Sequence, residues 1–145
     1  MKTNQKMLAL IVFFICTGSV VAFAGDFDGS RPILCSTVDL IECEPGGNCQ
    51  RVTHDSINAP RFIKIDFKEK SINDPSVGKQ RPTTRIERME HVDGKLILQG
   101  AEEGIEGVRD GLGWSLSISE DTGDMVLTGS GDQVGFVVFG NCILQ

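Results

Sequence analysis

Past its first two dozen residues the chain carries no catalytic, metal or nucleotide motif. Its cysteines never fall as C-x-x-C, which argues against a zinc site built from the four thiols discussed below. Basic charge is also scarce. After residue 24 there are 12 Lys and Arg against 20 Asp and Glu, a net charge of −8. That balance excludes nucleic acid and anionic membrane surfaces as main partners. The one apolar run of note, Met7 to Ile15, is too short to span a bilayer. Nor is there a long helical period anywhere after it, so a helical domain is excluded as well.

That apolar run has a different meaning. Lys2 and Lys6 precede it, and small residues ending in Ala22-Phe23-Ala24 follow, the pattern of a secretory signal peptide with an A-x-A cleavage site. Residues 1–24 are read as the signal, leaving residues 25–145 as one disulfide-stapled domain with no membrane span. Cys16 lies within the signal, and Ile15 before it is too large for a lipid-attachment site. The expected location is the periplasm, with the extracellular space as the other choice.

Export leaves an even set of thiols: Cys35, Cys43, Cys49 and Cys142. In an oxidising compartment these read as two disulfides, for which three connectivities exist. The favoured pairing joins Cys43 to Cys49 across the Glu44-Pro45-Gly46-Gly47-Asn48 turn and ties Cys35 to Cys142, the first strand to the last. With both bridges formed, no free thiol is left to act as a nucleophile.

Along the chain, an acidic leader precedes a first strand over Ile33 to Glu44. Residues 50–60 lack a period and read as a connection with one helical turn. Phe62 to Phe67 alternates cleanly, with Ile63, Ile65 and Phe67 on one face and Lys64 and Asp66 on the other. Residues 73–84 form a solvated loop. Ile86, Met89 and Val92 are spaced by three, as on a helix, but Asp93-Gly94 is a two-residue hairpin signal and makes both of its flanks strands. Glycine-punctuated segments at Trp114 to Ile118, Met125 to Leu127 and Val134 to Phe139 complete an antiparallel meander. The expectation is an all-β fold of about eight short strands, barrel-like because closure removes exposed edges, with a two-sheet sandwich second.

Four of these segments together, Asn58 to Asp66, Leu96 to Gly100, Trp114 to Ile118, and Gly135-Phe-Val-Val-Phe-Gly-Asn-Cys142, resemble a group of small exported bacterial proteins of uncharacterised function that share a C-terminal Gly-Phe-Val-Val-Phe-Gly-x-Cys motif. The resemblance implies compartment, strands and the C-terminal cysteine. It implies no activity and no cofactor.

Few residues offer chemistry. His54-Asp55-Ser56 has the side-chain types of a hydrolase triad, but adjacent residues cannot converge as a relay requires. His91 with Asp93 offers a second base. Both histidines read as ordinary surface or hairpin residues, and the chain as non-enzymatic. Asp26-Phe27-Asp28-Gly29-Ser30 imitates the start of a calcium loop without its later ligands, and reads as a disordered leader. Asp121, Asp124 and Asp132 suit turns. Nine basic residues between 61 and 95 give that stretch +3 against −7 for residues 96–145. Cross-strand pairing with the acidic strands is the plain account, and a basic patch for an anion is the sharper one.

Two binding readings follow. Trp114, Leu116 and Ile118 alternate with Ser115, Ser117 and Ser119, so a closed barrel turns one of these faces to its lumen. The first reading is a small-molecule cavity with Trp114 as a stacking wall and Ser115, Ser117 and Phe136 beside it. The alternative is an envelope protein-interaction module acting through the charged loops at 73–84 and 101–112. Oligomeric state has no signature in the sequence.

Overall fold

The computed structural model describes residues 25–76, 83–104, 107–108 and 110–145. The signal-like segment 1–24 lies outside them. All regular structure in the described residues is β: β1 (Ile33–Glu44), β2 (Asn48–Val52), β3 (Phe62–Asp66), β4 (Ser71–Asn73), β5 (Thr84–Arg85), β6 (Arg88–Val92), β7 (Lys95–Glu102), β8 (Leu112–Ser119), β9 (Asp124–Gly131) and β10 (Val134–Leu144). Every pairing is antiparallel, in the order β5-β4-β3-β1-β10-β9-β8-β7-β6, with β2 added to β1. No helix among the described residues is long and apolar enough to cross a membrane.

The sheet curls into a barrel-like shape because the two ends of that order are consecutive in sequence. Residues 84–92 pair first with β4 and then with β7, and the switch falls at two residues. Ile86 N–H donates to Lys70 O at 2.8 Å, and Glu87 N–H to Gln99 O at 2.9 Å. Ile86 turns inward and is buried, whereas Met89 and Val92 are exposed. The three-residue spacing of these side chains therefore reflects a strand that changes partner, not a helical face.

Period-two alternation fills the inside in rows. Leu98, Leu116, Leu127, Val138 and Leu40 face one another across five strands, and Leu96, Ile118, Met125, Gly140 and Thr37 form the next row. A third row alternates Gly100, Trp114, Gly129 and Phe136. Gly100 is required there, since a Cβ would lie 2.5 Å from both Trp114 Cζ2 and Arg85 O. The glycine makes room for the indole that packs over it.

A bulge between Thr37 and Asp39 shifts the alternation in β1. Before it Ile33, Cys35 and Thr37 point inward; after it Leu40 does, and the extra residue, Val38, is 70% exposed. Both disulfides join the favoured partners, Cys35 to Cys142 and Cys43 to Cys49. The first ties β1 to β10 inside the core, and the second staples the β1–β2 hairpin.

Three expectations are corrected. Residues 48–52 are a strand, and residues 54–58 are turn with no helix. The loop expected at 73–84 gives up its two ends to β4 and β5, while residues 77–82 lie outside the described set. The leader is ordered: Phe27 N–H donates to Glu120 O at 3.1 Å, and the Phe27 ring packs against the core. Gly123, at φ +74, admits that ring, since a Cβ there would sit 2.6 Å from Phe27 Cζ. Residues 25–30 thus close one end of the barrel.

Candidate binding face

The inward side of the sheet is occupied by its own side chains. Leu96, Leu98, Leu116, Ile118, Ile33 and Ile65 have no solvent exposure at all, and Trp114 is 8% exposed. Trp114 and Phe136 share one inner row, as a stacking wall requires. Ser115 and Ser117 point the other way, onto the outer surface, because successive residues of a strand face opposite sides. The four residues are therefore divided between two faces. Among the described residues one buried side-chain polar atom, Trp114 Nε1, has no hydrogen-bond partner, which costs on the order of 1–3 kcal/mol in the folded state.

The outer surface has its own pattern. One row runs Ile97, Ser117, Val126, Phe139 and Asp39; the next runs Gln99, Ser115, Thr128, Val137 and Ile41, with Arg51 of β2 beyond. Phe139 is 41% exposed and Val126 36%. Apolar side chains thus lie side by side with the hydroxyls of Ser115, Ser117 and Thr128 across five strands, roughly 20 Å at ordinary strand spacing. Paired charges stand at the margin: Arg51–Asp39 at 2.9 Å and Arg88–Glu90 at 2.6 Å.

Beside the bulge lies a groove of about 380 Å³ whose wall includes Asp39, Arg51, His54, Asp55 and Arg61. His54 is the residue with the most promising surroundings for catalysis, and its hydrogen bonds assign its proton. Nε2 lies 2.8 Å from Thr37 Oγ1 and 3.2 Å from Thr37 O. A carbonyl only accepts, and the Thr37 hydroxyl donates to Pro60 O at 2.7 Å, so Nε2 carries the hydrogen and donates. Nδ1 faces Arg61 Nη1 at 3.5 Å, and Arg61 Nη2 reaches both oxygens of Asp55 at 3.3 Å. His54 is thus a donor toward Thr37 and not a base that could activate it. The network fastens the 53–61 loop across the bulge. Ser56 bonds back to Thr53 and joins no relay.

His91 Nδ1 meets Glu120 Oε1 at 2.6 Å near the leader. Asp28 accepts from the Ser30 backbone N–H at 2.9 Å, and hydrogen bonding from Ser30 holds its carboxyl below the usual carboxylate value, with a small contribution from His91. Asp124 is held by Thr122 and Asn141. Among the described residues no three His, Cys, Asp or Glu side chains are grouped to hold a metal ion.

The charge segregation seen in the sequence is met largely by local pairs. Arg88–Glu90 and Lys95–Asp93 are two residues apart, and among the described residues the pair His91–Glu120 joins the basic stretch to the acidic one. No protein-family model, no curated protein and no solved structure matches this chain.

Proposed function

We propose that this is an exported, disulfide-stapled, non-enzymatic binding protein that holds a partner in the cell envelope against the outer face of β1 and β7–β10. The single observation behind this reading is the outer row in which Val126 and Phe139 stand exposed side by side, with the half-buried Ile97 on the far side of Ser117, next to the hydroxyls of Ser115, Ser117 and Thr128. An apolar centre with hydroxyls in reach and a charged margin is the anatomy of a protein interface. At about 20 Å across it is smaller than a standard interface, so a stable complex extends onto the margin. The proton assignment at His54 supports a binding role over hydrolysis.

The test is site-specific photocrosslinking in the host envelope. A photoreactive side chain at Phe139 or Val126 is expected to give one shared adduct, absent when the same group replaces Asp93 in the β6–β7 turn. The same adduct from all three positions, or none from 139 and 126, overturns the reading.

A second reading has one observation in its favour. The unpartnered Trp114 Nε1 would be satisfied by an acceptor on a small molecule admitted near Phe136. In that case ligand uptake moves the fluorescence of Trp114, the only tryptophan in the chain.

A further inference from the structure

We propose that the cleft between the β3–β4 turn and β5 is a binding site for a small phosphate- or sulfate-class anion. The cleft measures about 360 Å³ and brings Lys68, Lys70 and Arg85 together with the hydroxyls of Ser71 and Thr83. Ser71 and Arg85 stand directly opposite each other in the β4–β5 ladder.

Arg51, Arg61, Arg88 and Lys95 each have a carboxylate within 3.5 Å. Lys68, Lys70 and Arg85 have no ion pair or side-chain hydrogen bond among the described residues, and neither do Arg31 and Lys64 elsewhere, but these three share one cleft in a chain that carries a large excess of acid. Three like charges gathered on one cleft repel one another, and an anion relieves that repulsion. One carboxylate, Glu69, also lines the cleft. It makes no ion pair with either lysine, so the lining side chains keep an excess of two positive charges, with the Glu102 carboxylate beside the cleft on the Thr84 hydroxyl at 2.6 Å.

The frame is fixed by bonds that do not use the cationic groups. Asp66 Oδ1 accepts the Glu69 N–H at 3.0 Å, and Lys70 O accepts the Ile86 N–H at 2.8 Å. Lys70 itself sits at φ +50, where glycine or asparagine is more at ease. A lysine is held there at a backbone cost, on the wall of the cleft. The ligand is a soluble small molecule and not a membrane lipid, because the strongly negative whole repels an anionic bilayer.

The probe is inorganic phosphate, added to isotopically labelled protein at constant ionic strength, with chloride as the control and phosphatidylglycerol vesicles as a second arm. Amide resonances of Lys68–Ser71 and Thr83–Arg85 are expected to shift and saturate with phosphate but not with chloride. Lys70→Gly and Arg85→Gln should each weaken binding roughly three- to fivefold, the size of one exposed ion pair. Glu69→Gln should tighten it. Lys70→Gly also guards against misfolding, since it relieves the left-handed backbone and leaves thermal stability equal or higher. Equal shifts with chloride, phosphate binding untouched in folded Lys70→Gly, or binding to vesicles alone would overturn the proposal.

Discussion

Thr37 occupies the one place in β1 where the ladder breaks, and its hydroxyl is placed to repair the consequences. It donates to Pro60 O and receives from His54, while the Thr37 backbone N–H donates to Arg61 O at 3.1 Å. Thr37→Val keeps the shape and removes the hydroxyl, leaving the part-buried Pro60 carbonyl short of its donor and the imidazole N–H with the Thr37 carbonyl alone. The expected loss is about 1–3 kcal/mol in urea denaturation, with no change in the outer face. In the leader Asp28 makes a smaller, pH-linked contribution. Its carboxyl titrates lower in the folded chain than in the unfolded one. The stabilisation it gives is therefore present above the ordinary carboxylate range and is lost as pH falls through the folded value, below about pH 4. Because the group is exposed the effect is slight. Ser30→Ala should lower the neutral plateau of a stability–pH curve slightly and flatten its acid limb, leaving the most acidic end unchanged; an unchanged curve would show that the Ser30 contact does not matter in solution.

Among the elements, the leader is the one whose role depends most on its surroundings. Residues 25–30 have no period and would not fold alone, but Phe27 completes the core at an open barrel end and its N–H is satisfied by Glu120. Phe27→Ala is expected to cost on the order of 2 kcal/mol, less than a fully buried phenylalanine. It should also speed hydrogen exchange at Cys142, whose N–H donates to the adjacent Gly123 O at 2.8 Å. Unchanged exchange there would mean that the leader does not seal the end.

The strands over Ile33–Glu44 and Phe62–Asp66 and the Asp93-Gly94 hairpin were legible because half-burial writes alternation into the side chains, and because Asp93 and Gly94 both need positive φ, which the structure has. β2 was not legible: it is an edge strand exposed from Asn48 to Arg51, with Val52 alone packed against the core, so no alternation was imposed. The order in Phe27 was hidden because one aromatic contact leaves no pattern. Of the four residues expected to line a cavity, the strand period correctly separated Trp114 from Ser115 and Ser117. What it could not say was that the hydroxyl face would meet Val126 and Phe139, a contact set by the β8–β9 and β9–β10 registers.

For the whole molecule, the disulfides divide the stabilisation unequally. Cys35–Cys142 closes a separation of 107 residues and Cys43–Cys49 one of only 6. In the chain-entropy model these correspond to roughly 4–5 and 2 kcal/mol. Replacing Cys35 and Cys142 together should therefore lower the urea midpoint far more than replacing Cys43 and Cys49, and equal losses would contradict the ranking. The long bridge joins the first and last strands of the meander, so it also holds the curl that keeps one face packed and turns the other outward.

That division of faces is the central claim, and the single tryptophan reports on it directly. Emission and acrylamide quenching of Trp114 should be recorded in the oxidised protein, alone and with a panel of lipids, sugars and aromatic metabolites. The filled interior predicts blue-shifted emission, weak quenching and no response to any of them. Ready quenching, or an emission shift that saturates with one ligand, would contradict it and place binding inside the barrel.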